Sequence, residues 1–221
     1  MSRYPSVAYV LPFAVFLAFL GLQPYIPLPE QVEFPVRIAV LTLVLVVFSR
    51  QAISFRVANL SGSIGMGVAV FAIWVAPDLL IPGYREHWLF QNSLTGSLKV
   101  SISGDGLSDP FVLSLRSVRA VVLVPIIEEL FWRAWLMRWL ISPNFEKVAL
   151  GAYTAQAFWI TAVLFASEHG PYWEVGLLAG IAYNWWMMRT RSLGDCILAH
   201  AVTNACLSGF VILTGRWEYW L

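Results

Sequence analysis

The sequence predicts an all-α membrane protein that crosses the bilayer about seven times around a polar intramembrane cavity, and three observations carry that expectation. Of its 221 residues, 59% are hydrophobic and only 12% are charged, where a soluble domain carries about a quarter. Its mean hydropathy is +0.70. Residues 4–29, 57–77, 148–167 and 196–215 contain no Asp, Glu, Lys or Arg, and each run approaches or exceeds the roughly 20 residues that cross a hydrocarbon layer. These runs are uniformly apolar rather than alternating, so the spanning structure is helical and not a barrel. The same arithmetic excludes a water-soluble enzyme. A formal net charge of +1 with no basic stripe excludes a nucleic-acid binder. Cys196 and Cys206 share one apolar run; on a helix their separation is about 15 Å, too far to be bridged.

One membrane domain is expected over residues 1–221, with N-terminal helices and a loop over about 1–110 and a core over 111–214. The first span, 6–22, is not a cleaved leader: it holds Pro12, has only Arg3 before it, and ends in QPYIPLP rather than a small-residue cleavage site. The second, 36–49, is charge-free only over 38–49, so Arg37 and Arg50 would have to reach for the interface. The third is 64–81. Residues 82–110, with Gly83, Gly96, Gly104, Gly106 and Pro110, form an extramembrane loop with an interfacial turn around His87, Trp88 and Phe90. The fourth span is 111–141. The fifth, 148–168, ends before the Gly170-Pro171 stop, and a short sixth, 173–188, leads to the seventh, 193–214. With a cytoplasmic N-terminus, Arg3, Arg50, Arg56, Arg138, Lys147, Arg189 and Arg191 lie at inner ends, while Arg85, Lys99, Arg116, Arg119 and Arg216 fall outside.

The fourth span is the informative one. It reads VVLVPIIEELFWRAWLMRWLI and places Glu128, Glu129 and Arg133 among apolar residues, each costing about 2.5 to 3.5 kcal/mol near a bilayer centre on insertion scales. Glu129 and Arg133 are i and i+4 in the favourable order for an ion pair. Glu128, turned about 100° away, lacks that partner and is the carboxylate free for chemistry. His169 closes the fifth span in FASEHG, and His200 and Asn204 share one face of the seventh in LAHAVTNA. Counting from Arg138 and Arg191, Glu128 and His200 sit at similar depths, about 15 and 13 Å from the inner boundary. His169 joins them only if the hairpin after the fifth span stops inside the membrane, which a water-lined cavity permits. Each residue also has a structural explanation: a packing network for the fourth span, an interfacial loop histidine, an interhelical hydrogen-bonder.

A carboxylate, two imidazoles and a carboxamide in a low-dielectric cavity supply what peptide hydrolysis needs. A desolvated Glu is a usable general base for water, a His orients that water, and His and Asn N–H groups stabilise a tetrahedral oxyanion. GxSxG, HExxH and a paired intramembrane Asp are all missing from the chain.

EELFWR, FASEH and HAVTN resemble, in order, the EExxxR, FxxxH and HxxxN motifs of the CAAX-protease and bacteriocin-processing family of intramembrane proteases, the Rce1-like or Abi group. The likeness covers about residues 118–214. VPIIEELFWR and the TGRWEYW ending look closest to bacterial CAAX-related proteins associated with exosortase sorting, which implies a multi-pass protein of the bacterial inner membrane. The resemblance implies that Glu128 activates water with His169, that His200 and Asn204 form the oxyanion site, and that Glu129, Arg133 and Phe165 support them. It implies a membrane protein or peptide as substrate, and it leaves Glu168 without a role. Metal-free catalysis is the expectation, with Glu, His and His as an alternative ligand set for Zn²⁺. A transporter or proton relay built on the same residues and a non-catalytic scaffold are the competing classes.

Overall fold

A computed structural model describes residues 4–26, 28–98, 100 and 102–220; Arg3 and Lys99, counted above in the charge asymmetry, lie outside them. Apart from one isolated bridge between Asn92 and Gly96, the regular structure of the described residues is helical. Helix α1 spans Val7–Leu22, α2 Glu30–Ser49, α3 Leu60–Leu80 and α4 Pro110–Trp139. Helices α5, Ala155–Ser167, α6, Trp173–Thr190, and α7, Leu193–Thr214, complete the order.

The helix starts are written locally. Asn59 accepts from the Gly62 N–H to cap α3, and Asp109 accepts from Phe111 ahead of a first-turn proline in α4. Thr154 caps α5 through Ala157, and Ser192 caps α7 through Asp195. Each satisfies a backbone donor that the first turn leaves without a partner. Asp195 also accepts from the backbone of Ala58 at 2.6 Å and Asn59 at 2.8 Å and from Ser63 Oγ at 2.8 Å. That buried carboxylate fastens the start of α3 to the start of α7. Further along the pair, a side chain at Gly67 would place its Cβ 2.6 Å from Val202 Cβ, so only glycine lets the two backbones meet this closely.

Among the described residues, five helices are long and apolar enough to cross a membrane: α1, which runs on to Tyr25 here, α2, α3, α4 and α7. The expected set of seven is therefore not reproduced as seven. The fifth span is the main correction. It begins at Ala155 rather than 148, because Gly151 takes φ +72° and residues 152–154 run without regular structure before the Thr154 cap. A helix of 13 residues covers only about 20 Å. The second span starts earlier than expected, at Glu30, because Arg37 does not reach for an interface: it is buried and ion-paired with Glu33 one turn away. Arg85 differs as well. It was counted as an ordinary outer-loop cation, but it is buried, with Asp78 at 3.1 Å, Glu174 at 2.6 Å and the Tyr172 ring at 4.2 Å. Burial opposes its charge, yet Asp78 and Glu174 outweigh that and hold its pKa above the usual arginine value. The loop thus clamps the end of the bundle where α5 turns into α6.

The main core draws on Phe13, Leu41, Val70, Ile127, Leu130, Tyr183 and Ala199, so N-terminal and C-terminal helices pack into a single interior. Phe13 of α1 stacks on Phe131 at 4.0 Å and meets Trp132 edge-on at 5.3 Å. This contact lays α1 along the stretch of α4 that carries the acidic pair.

Candidate active site

Helix α4 has two segments with wider, π-type turns, Arg119–Leu123 and Leu130–Leu136, with an α-helical Val124–Glu129 between them. Such turns occur often at functional sites, and here they bracket the glutamate pair. Glu129 and Arg133 form the ion pair expected from their spacing, at 3.0 Å with both side chains fully buried. Arg133 is held further by Asn184 of α6, whose Oδ1 accepts from Nε at 3.1 Å, and by the rings of Phe165 at 4.4 Å and Tyr183 at 5.3 Å. Asn184 in turn donates to the Phe158 carbonyl of α5 at 2.9 Å. The arginine therefore ties α4, α5 and α6 together.

Glu129 has a second partner. His200 Nδ1 lies 2.8 Å from the same Oε1. A carboxylate only accepts, so Nδ1 carries the proton of this contact, and Nε2 is left to face elsewhere. Tyr183 stacks on the His200 ring at 5.1 Å and donates its hydroxyl proton to Thr203 Oγ1 at 2.7 Å; Thr203 donates to the Gly67 carbonyl at 2.8 Å. The histidine is thereby fixed in orientation from two sides.

A cavity of about 640 Å³ opens beside this network, and Glu128, Phe165, Glu168, His169, His200 and Asn204 all line it. Glu128 is buried, and its Oε2 has no hydrogen-bond partner among the described residues. An unpaired buried carboxylate oxygen is costly. His169 follows the last turn of α5. Its Nδ1 sits 2.7 Å from the Phe165 carbonyl; a carbonyl only accepts, so Nδ1 is protonated and Nε2 is an acceptor in the neutral ring. Gly176 makes room for it, since a Cβ there would lie 3.1 Å from His169 Nδ1. Asn204 Nδ2 donates to the Ala120 carbonyl in the first π-type segment at 2.8 Å, which leaves one amide N–H of the side chain. Glu168 stays exposed at the same wall.

The four residues expected to act together line one cavity, as does Phe165, whereas Glu129 and Arg133 do not line it and reach it only through His200 and Phe165. Among the described residues no group of three or more His, Cys, Asp or Glu side chains is placed to hold an ion. Sequence reasoning missed Asn184, although an Asn inside the apolar run AGIAYNWW was itself a signal. It also missed that Glu129 serves His200, a contact between residues 71 positions apart that no local spacing encodes.

Residues 110–206 match the family described as Type II CAAX prenyl endopeptidase Rce1-like. The matched stretch runs from the start of α4 into α7 and contains Glu128, Glu129, Arg133, Phe165, His169, His200 and Asn204. No curated protein and no solved structure matches the chain.

Proposed function

We propose that this chain is an intramembrane endopeptidase of the glutamate type, hydrolysing a peptide bond near the C-terminus of a membrane-associated protein or peptide. One observation carries the reading: Glu128, buried and with an oxygen that has no partner among the described residues, lines the same cavity as His169, His200 and Asn204. The likeness of residues 110–206 to CAAX prenyl endopeptidases points to the same chemistry.

In this mechanism a water held between Glu128 and His169 Nε2 gives its proton to Glu128 as its oxygen attacks the scissile carbonyl carbon. The carbonyl oxygen becomes an oxyanion that accepts from the remaining Asn204 amide N–H and from His200 Nε2. His200 donates from Nε2 only as an imidazolium, because Nδ1 is already committed, and Glu129 is placed to stabilise that cation. The C–N bond then breaks, and the proton on Glu128 passes to the departing amine. Glu129 and Arg133 act by holding His200 and the α4 turn in place. No step is assigned to a metal. The exosortase-associated sequence pattern leads us to place the substrates among bacterial sorted membrane proteins, with the site embedded in the inner membrane and the N-terminus cytoplasmic.

The test is cleavage by purified protein in lipid nanodiscs of membrane-anchored peptides, read by mass spectrometry of both fragments, with Glu128→Gln as the paired control. Cleavage by the unsubstituted chain and none by the variant is expected. Equal cleavage by both removes the assignment.

A further inference from the structure

The cavity has a cationic wall that the mechanism does not use. Arg119 begins the first π-type segment of α4, lines the cavity, and is only 7% exposed. Its guanidinium lies over the Phe34 ring at 4.9 Å, and its Nη1 is buried with no hydrogen-bond partner among the described residues. The neighbouring acid, Glu33, is already ion-paired with Arg37. A buried arginine that stacks on a ring and leaves Nη1 without a partner among the described residues is a ready receptor for an oxyanion. Leaving such a charge uncompensated is strongly unfavourable, so the wall calls for an anion that arrives with the ligand.

We propose that Arg119 forms an anion subsite in this cavity, taking an oxyanion carried by an otherwise apolar ligand: the terminal carboxylate of a peptide or the phosphate of a lipid headgroup. Arg119 and Glu128 stand nine positions apart on one helix, roughly 13 Å of rise, a distance that a short extended peptide spans. One ligand therefore reaches both. Asn204 bonds to Ala120, the residue next to Arg119, so one of the expected oxyanion donors is anchored to the turn that carries the subsite. The proposal rests on the cavity being a ligand site, as read above, but not on Glu128 cleaving anything.

The experiment measures binding rather than turnover, in the non-cleaving Glu128→Gln background. The probe is a prenylated CAAX tetrapeptide prepared as free acid and as C-terminal carboxamide, in phosphatidylcholine nanodiscs. At least tenfold tighter binding of the acid is expected, with the difference lost in Arg119→Gln and partly kept in Arg119→Lys. That result identifies the peptide carboxylate. In the second arm, phosphatidylglycerol replaces phosphatidylcholine; a higher melting temperature that depends on Arg119 identifies the lipid phosphate instead. Equal affinities for acid and carboxamide, together with equal melting temperatures in the two lipids, overturn the subsite. If Arg119→Gln does not fold, those two comparisons on the chain with Arg119 intact decide alone. A chain that binds the acid selectively but never cleaves would retain the subsite and lose the protease reading.

Discussion

Glu129 of α4 and His200 of α7 meet at 2.8 Å while the same carboxylate oxygen holds Arg133 at 3.0 Å. One buried anion thus serves two cationic or proton-bearing partners, and its neutral replacement strands both. Glu129→Gln is expected to lower unfolding free energy by about 3–5 kcal/mol, the range for breaking a buried pair from one side. Chemical unfolding in detergent checks this, and a loss under about 1 kcal/mol would class the pair as an ordinary surface-like contact.

Glu128→Gln is nearly isosteric and changes no ion pair present in the structure. Peptide cleavage is expected to fall by about 10²- to 10⁴-fold, the usual contribution of a general base, with the melting temperature little changed. A variant that retains wild-type cleavage in the nanodisc assay would falsify the base assignment.

Asn204→Ala removes one oxyanion donor while sparing the Glu129 network. Turnover is expected to drop by about 10²- to 10³-fold with a smaller effect on KM. If KM rises and kcat holds, Asn204 binds substrate instead of stabilising the transition state.

Asn184→Leu tests the scaffold without touching the cavity. Arg133 Nε loses its acceptor and the Phe158 carbonyl its donor, so a destabilisation of about 1–3 kcal/mol is expected from the stranded buried groups. Unchanged thermal and chemical stability would show that water replaces the amide.

Exhaustive chelation separates the water-activation schemes. Cleavage is expected to persist after treatment with a strong chelator, with no stoichiometric metal by elemental analysis. Activity that disappears and returns on adding Zn²⁺ would overturn the metal-free mechanism.

Much of the fold was legible because apolarity and helix starts are local properties. The seventh span was read with the bounds it has, since a capping Ser192 opens it and Gly215, at φ +70°, closes it. The Glu129–Arg133 pair followed from one helical turn. The fifth span was misread because residues 148–154 are as free of charge as a helix would be, and hydropathy does not distinguish helical from extended backbone. Gly151 and the capping Thr154 were the local signs. The partners of Arg37 and Arg85 show a second limit. Insertion cost predicts that a charge needs compensation, but whether it comes from water at the interface or from a carboxylate brought in by the fold depends on packing. Arg37 found its acid on its own helix, and Arg85 found Glu174 from 89 positions away.

The brevity of α5 has a consequence for the surrounding lipid. Trp159, Val163 and Leu164 are exposed on its outer side, so this is a flank that acyl chains touch, yet its 13 residues offer only about two-thirds of a typical hydrocarbon thickness. A span this short is matched by thinning of the leaflet beside it, by flanking side chains that reach outward, or by a neighbouring subunit. A local thinning there shortens the path between bulk solvent and His169, and it makes the protein sensitive to acyl-chain length in a way that a bundle of uniform helices would not be.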